Sequence, residues 1–245
     1  MNPAHVLPDH DIAVVIVNYN SAEMSLNAMQ SIFDKTADTN SIHIHVVDNA
    51  SPDDCATVLR KEISGRGWAS QTTLYEETTN HGFGRGNNVA LNAIAAMDQK
   101  PEKVMFLNPD ACLQSDVITN LSKRLDQQPD VAIAGSAIRD EHGEVAVAAF
   151  RFPNILGVFA DAVNFGPISG LFANWRAPIE PMPTTETDVD WVTGAAFMAR
   201  FDAIERVGFF NQNFFLYFEE VDLMKVVRAD GGAIASEQPH FSGPN

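Results

Sequence analysis

Residues 12–21 read IAVVIVNYNS. Six consecutive apolar residues, nearly all β-branched, make a strand buried on both faces. The run stops at Asn18, Tyr19, Asn20 and Ser21, a polar turn whose serine can cap a helix carrying Leu26, Met29 and Phe33 on one face. The same unit recurs. Residues 42–47 form a second strand, after which Ser51 reads as an N-cap, with Pro52 at the first helical position and Asp53 and Asp54 in the first turn. Residues 72–76 form a weaker third strand, 85–97 a helix and 104–107 a fourth strand. Ser115 and Asp116 open a further helix, and residues 131–134 form a fifth strand. This alternation predicts an α/β fold: a Rossmann-like, doubly wound, mostly parallel central sheet flanked by helices.

Beyond residue 135 the rhythm breaks. Residues 151–190 are rich in Pro, Phe and Asn without a clean period, and read as an irregular connection or a small subregion that shapes a substrate site. Residues 190–199 (DWVTGAAFMA) return to strand character, 201–207 form a short helix, 219–228 a helix opened by carboxylates, and 233–236 a last strand. No linker composition and no repeat appear, so residues 1–245 are read as one domain with halves at 11–135 and 136–245.

The chain has 245 residues, with 16 Lys and Arg against 32 Asp and Glu, a formal net charge of −16. It is long enough to bury roughly 70–75% of its unfolded surface without a disulfide staple. The acidic balance argues against nucleic acid as a partner, which needs a basic face, and against purely electrostatic docking on an anionic membrane. Cys55 and Cys112 form neither a disulfide framework nor a metal-ligand spacing. A reduced, cytoplasmic setting is expected, because the first residues, MNPAHVLPDHD, lack the basic and apolar regions of a secretory leader.

In open parallel sheets, ligands bind at the carboxyl ends of the strands. The polar residues there are Asn18 to Ser21, then Asp48, Asn49 and Ser51, then the stretch NHGFGRGNN at 80–88, then Asn108 and Asp110. The glycines of NHGFGRGNN are spaced G-x-G-x-G and follow the third strand, so a dinucleotide fingerprint is a poor match. They suit a tight turn at positive φ, or a backbone that lets Arg85 approach a phosphate-bearing ligand. Asp110, in LNPDA, is either a simple helix cap or a carboxylate that holds a hard divalent cation against a diphosphate. In FFLYFEEVDL, Glu219, Glu220 and Asp222 crowd a helix start. One acid would balance the helix dipole; three should raise a pKa, as suits a general base.

Six stretches in order, VVIVNYNS, VVDNASPDD, NHGFGRGNN, FLNPDA, DWVTGAAFMAR and GFFNQNFFLYFEEVDL, resemble glycosyltransferase family 2, and within it the rhamnosyltransferase-type members. They span residues 14–222. The resemblance implies a GT-A fold with a small acceptor-side subregion, a nucleotide-diphospho-sugar donor, Mg²⁺ or Mn²⁺ as cofactor, and inversion at the anomeric carbon. The first half would then bind the nucleotide-sugar, and the second would carry the acceptor side and the catalytic acids. By position, Asp48 matches the family's base-reading carboxylate, which can accept the imide N–H of uracil or thymine. Asn18, Tyr19, Asn20 and Asn49 flank the nucleoside; Gly82, Gly84, Arg85 and Asn88 lie beside ribose and diphosphate. Asn108 and Asp110 match the metal motif, Asn108 on its nucleotide side. Trp191, Thr193 and Gly194 match the acceptor segment.

Glu220 matches the catalytic base, with Glu219 and Asp222 as the alternatives. His240 stands where a metal-ligating His often occurs, although a lone His is as readily structural. The donor expected from the resemblance is dTDP-rhamnose, with UDP-sugars next, and the acceptor a growing polysaccharide or a lipid-linked glycan. Family members usually continue well past this His, so the chain is either a minimal member or truncated. A peripheral contact with the inner face of a membrane and a homo-oligomer are both compatible with this reading. The apolar stretch 152–175 is expected on the acceptor side, against lipid, or simply buried. A nucleotidyltransferase on a related sheet and a non-catalytic nucleotide-binding scaffold are the competing readings.

Overall fold

The computed structural model describes residues 11–139, 145–146, 149–150, 152 and 187–236. The first half runs β1 (Ile12–Asn18), α1 (Ala22–Lys35), β2 (Ile42–Asp48), α2 (Cys55–Gly65), β3 (Thr72–Glu76), α3 (Phe83–Ala95), β4 (Lys103–Leu107), α4 (Val117–Gln127) and β5 (Val131–Gly135). Short strands follow: β6 (Ile138–Arg139), β7 (Val145–Ala146), β8 (Ala149–Phe150), β9 (Thr187–Asp188) and β10 (Trp191–Val192). The chain then forms β11 (Ala196–Arg200), α5 (Phe201–Arg206), α6 (Glu219–Ala229) and β12 (Ala233–Ser236).

Eight strands make one sheet, in the order β3-β2-β1-β4-β11-β5-β12-β9. Neighbours pair in parallel except where β11 meets β4 and β5 and where β9 meets β12. Every residue of β1 is buried, as its unbroken apolar run requires. Val14 and Ile16 face a core built with Leu26 and Met29 of α1, Leu59 of α2 and Leu121 of α4. Ala13 and Val15 face the opposite core, with Leu91 of α3, Ile204 of α5 and Met224 of α6. Each fully buried Val, Leu or Ile contributes about 1.5–3 kcal/mol, so both faces of this sheet are strongly specified.

Several boundaries differ from the sequence expectation. The helix expected at Ser51 begins at Cys55, because the Ser51 hydroxyl donates to Asp48 Oδ1 at 2.6 Å instead of capping. Ser21 stands at the N-cap of α1, but its hydroxyl turns to Asn18 Oδ1. Asp116 does cap α4, accepting from the Thr119 N–H. The single strand expected at 190–199 is two: β10 pairs with β8, and β11 enters the main sheet after a turn. Arg200, at the end of β11, donates to the carbonyls of Leu125, Gln128 and Val131. It thereby satisfies the C-terminal end of α4 and locks the antiparallel strand into the sheet.

Candidate active site

Parallel pairing aligns Asn18 with Asp48 at the tips of β1 and β2. Asp48 is buried, and three donors hold it: Asn18 Nδ2 at 2.7 Å and Ser51 Oγ at 2.6 Å on Oδ1, and the Ser51 N–H at 3.3 Å on Oδ2. Oδ2 thus keeps acceptor capacity. Asn18 is fully buried, and its own oxygen accepts from Ser21 and Ser25. Its role in the fold is to orient Asp48. Tyr19 is exposed beside it, and Asn20, at φ 53°, donates its N–H to Ser51.

Asn49 ties this tip to the glycine-bearing loop. Its Nδ2 donates to Asn80 Oδ1 and to the Gly82 carbonyl, and its Oδ1 accepts the His81 N–H. Gly82 sits at φ 77° and ψ −179° as the N-cap of α3, in a region only glycine occupies readily. A Cβ on it would lie 1.9 Å from the Phe215 carbonyl oxygen, which accepts the Phe83 N–H. Arg85 Nε donates to the Gln212 carbonyl at 2.7 Å. Asn88 donates to the Phe210 carbonyl and accepts the Phe210 N–H. The loop before α3 and the loop before α6 are therefore one welded unit, although they lie more than a hundred residues apart in sequence.

The three acids at the start of α6 have separate surroundings. Glu219 is buried against Gly84, whose Cβ position lies 3.2 Å from Glu219 Cγ. Glu219 Oε1 has no hydrogen-bond partner among the described residues. Asp222 accepts from Asn211 Nδ2 at 3.1 Å. Glu220 is partly buried, with its carboxylate packed on Gly194, 3.4 Å from that residue's Cβ position. Burial pushes the Glu220 carboxyl above the ordinary carboxylate value; its own backbone N–H opposes this, and the neighbouring Glu219 charge adds to it. Glu220 thus combines a raised pKa with a place against the expected acceptor segment. Tyr217 and Phe218, just before it, lie at φ 70° and 71°. The left-handed region costs a residue with a Cβ roughly 1–2 kcal/mol, so this approach to the helix is held by its surroundings.

In the segment expected to meet the acceptor, Trp191 stacks on Phe150 with centroids 4.1 Å apart, and Thr193 Oγ1 accepts the Ala195 N–H. Asn108 donates its N–H to the Ala195 carbonyl. One continuous path of contacts thus links Asn108, Ala195, Gly194 and Glu220. Asn108 Oδ1 is a buried oxygen with no partner among the described residues, and Asp110 is exposed two residues on. An oxygen-only pair with one orphaned acceptor fits a hard divalent cation. Among the described residues no three His, Cys, Asp or Glu side chains cluster as a metal site, and His240 lies outside those residues. Residues 153–175 also lie outside them. No helix among the described residues is long and apolar enough to cross a membrane.

The sequence reading missed Ser51 as an Asp48 partner, Asn80 as an Asn49 partner, and Asn211. The capping pattern of NASPDD disguised the first. The last is visible only once the two loops meet.

A model described as "Glycosyl transferase family 2" matches residues 13–208. The chain is 25% identical over 216 residues to the low-salt glycan biosynthesis hexosyltransferase Agl10 of Haloferax volcanii, covering 86% of this chain and 60% of that one. It is 30% identical over 122 residues to the N-acetylglucosaminyl-diphospho-decaprenol L-rhamnosyltransferase of Mycobacterium tuberculosis, covering 49% of this chain and 39% of that one. The chain therefore spans 60% or less of these relatives' length. A mannosyltransferase from Pyrobaculum calidifontis, solved with GDP-Man and Mn²⁺, superposes with a TM-score of 0.63 at 19% identity, covering 99% of this chain and 62% of that one. The shared architecture is the GT-A fold.

Proposed function

This chain belongs to glycosyltransferase family 2, and on that premise we propose that it moves a sugar from a nucleoside-diphosphate-sugar to a hydroxyl of a glycan or lipid-linked acceptor, with inversion. The observation that carries this is the Glu220 carboxylate: raised by burial, packed on Gly194, and joined through the 208–218 loop to the glycine-bearing loop. A nucleotidyltransferase has no use for a base so placed, and a binding scaffold does not need one.

Asp48 would accept the imide N–H of uracil or thymine through Oδ2, with Tyr19 beside the base. The N-terminus of α3 would face the diphosphate, where free N–H groups favour negative charge, and Arg85 would add its remaining guanidinium N–H groups. Glu220 would take the acceptor hydroxyl proton as the oxygen attacks the anomeric carbon. The new C–O bond forms as the bond to the diphosphate oxygen breaks, and the nucleoside diphosphate leaves from the opposite face. Asn108 and Asp110 are the residues that would hold Mg²⁺ or Mn²⁺. When bound, the ion would stabilise the charge of the departing diphosphate. The donor of choice is dTDP-rhamnose or a UDP-sugar. The named mycobacterial relative points to a polyprenyl-diphosphate-linked acceptor, met at the cytoplasmic face of a membrane.

Slow hydrolysis of the donor, with water as acceptor, tests this without knowledge of the acceptor. In Mn²⁺, NMR of dTDP-rhamnose and UDP-sugar reactions should show free sugar appearing first as the anomer opposite to the donor's. First appearance of the retained anomer contradicts inversion, and release of a sugar 1-phosphate and nucleoside triphosphate when pyrophosphate is added points to the nucleotidyltransferase.

A further inference from the structure

Phe215, Leu216, Tyr217 and Phe218 are four consecutive large apolar residues that are 61, 55, 72 and 60% exposed. They are not a loose loop. The Phe215 carbonyl accepts the Phe83 N–H at 3.1 Å, the Gln212 carbonyl holds Arg85, and Asn211 holds Asp222. Tyr217 and Phe218 are kept at positive φ by that frame. A rigid apolar shelf this exposed in so acidic a chain calls for an occupant.

We infer that these four residues are the acceptor platform, on which the C–H face of the acceptor's terminal pyranose ring rests while its hydroxyl meets Glu220. This inference rests on the glycosyl-transfer reading and adds a subsite to it.

Reach selects the sugar ring over the lipid. Phe218 and Glu220 are two residues apart, so their Cα atoms are at most about 7–8 Å apart. That is about the span of one sugar ring with its hydroxyl. The part of the acceptor lying on Phe218 or Tyr217 is therefore the ring that carries the attacking oxygen, and any lipid lies beyond it. Chemistry agrees. A pyranose presents polarised C–H bonds on its faces and hydroxyls at its rim, and the negative face of an aromatic ring attracts the former. Glu219, Glu220 and Asp222, in the first turn of the helix that directly follows the shelf, disfavour an anionic ring or an anionic bilayer beside it.

Saturation-transfer NMR tests this with methyl α-L-rhamnoside, methyl α-D-mannoside and methyl N-acetyl-β-D-glucosaminide as probes, in UDP or dTDP with Mn²⁺. At least one should receive saturation at its ring C–H protons. Tyr217→Ala and Phe218→Ala should each cut that signal at least fivefold, Tyr217→Phe should keep most of it, and nucleotide affinity should change less than twofold. No saturation of any probe, or equal saturation in wild type and both alanine variants, overturns the platform. So does flotation of the wild type on phosphatidylcholine vesicles that both variants lose without loss of glycoside signal, because the shelf then meets lipid. Nucleotide binding without glycoside binding overturns only this inference, whereas failure of nucleotide binding overturns the glycosyl-transfer reading beneath it.

Discussion

Glu220→Gln is expected to lower turnover of the sugar-nucleotide by about 10²–10⁴-fold while leaving donor affinity nearly unchanged. A sugar hydroxyl is a poor nucleophile at neutral pH, and a positioned general base typically supplies an acceleration of that size. Glutamine keeps the side chain's shape and removes its capacity to take a proton. A loss in kcat alone is the signature of an interaction made in the transition state. Glu219 is sealed under Gly84 and Asp222 is engaged by Asn211, so Glu219→Gln and Asp222→Asn should not reproduce this loss. If either does while Glu220→Gln turns over at near wild-type rate, the base is a neighbour.

The same variant carries a second readout. Because the folded-state pKa of Glu220 is raised, the folded chain binds the extra proton between the unfolded and folded values. Stability from this group is therefore greatest below the unfolded value, near pH 4, and falls as the pH rises through the raised one. Glu220→Gln removes that loss. Its Tm should exceed the wild-type value at pH 7, and the gap should close toward pH 4. A Tm below wild type at pH 7 would mean that the carboxylate is stabilising where it stands.

The second large effect concerns Gly82→Ala. Its φ of 77° already resists a Cβ, and the added carbon would lie 1.9 Å from a backbone oxygen that cannot swing away. Backbone strain and the displaced Phe215 segment together should cost about 2–4 kcal/mol. For a chain of this size that is a fall in Tm of roughly 4–16 °C. Nucleotide affinity should fall more than tenfold, because the loop and the N-terminus of α3 move together. Gly67→Ala is the control: it shares the positive φ, at 76°, but nothing lies within 4 Å of its Cβ position. It should lose only the backbone strain, about 1–2 kcal/mol, and bind nucleotide normally. Equal losses in the two variants would show that contact with Phe215 has no consequence.

The parallel half of the fold was legible because burial on both faces writes itself as unbroken runs such as IAVVIV, and the helices between carry their own period. The place of β11 was not legible. An antiparallel strand between β4 and β5 is set by pairings distant in sequence and by Arg200 reaching back to α4, neither of which leaves a local pattern. The placement of the candidate residues at strand ends was likewise readable, since topology alone brings Asn18, Asp48 and Asn108 to one edge. Their division of labour was not. Asn18 reads as a nucleoside contact until its amide is seen spent on Asp48. The three acids of FEEVD look alike until Gly84, Gly194 and Asn211 each take one. The weld between the loops at 80–88 and 208–218 depends on Gly82 and Phe215, and chain order alone gives no sign of it.

Calorimetric titration of UDP, dTDP, CDP and ADP, each in Mn²⁺ and in EDTA, tests the central claim most directly. UDP or dTDP should bind in Mn²⁺ and lose most of its affinity in EDTA. CDP and ADP lack the N–H that Asp48 would accept, and should bind at least tenfold more weakly, as loss of one charged hydrogen bond worth about 1.5–3 kcal/mol requires. Asp48→Ala should erase the difference between UDP and CDP. Failure of all four nucleotides to bind in Mn²⁺, or equal affinities for UDP and CDP in the wild type, would contradict a nucleotide-sugar site built on Asp48.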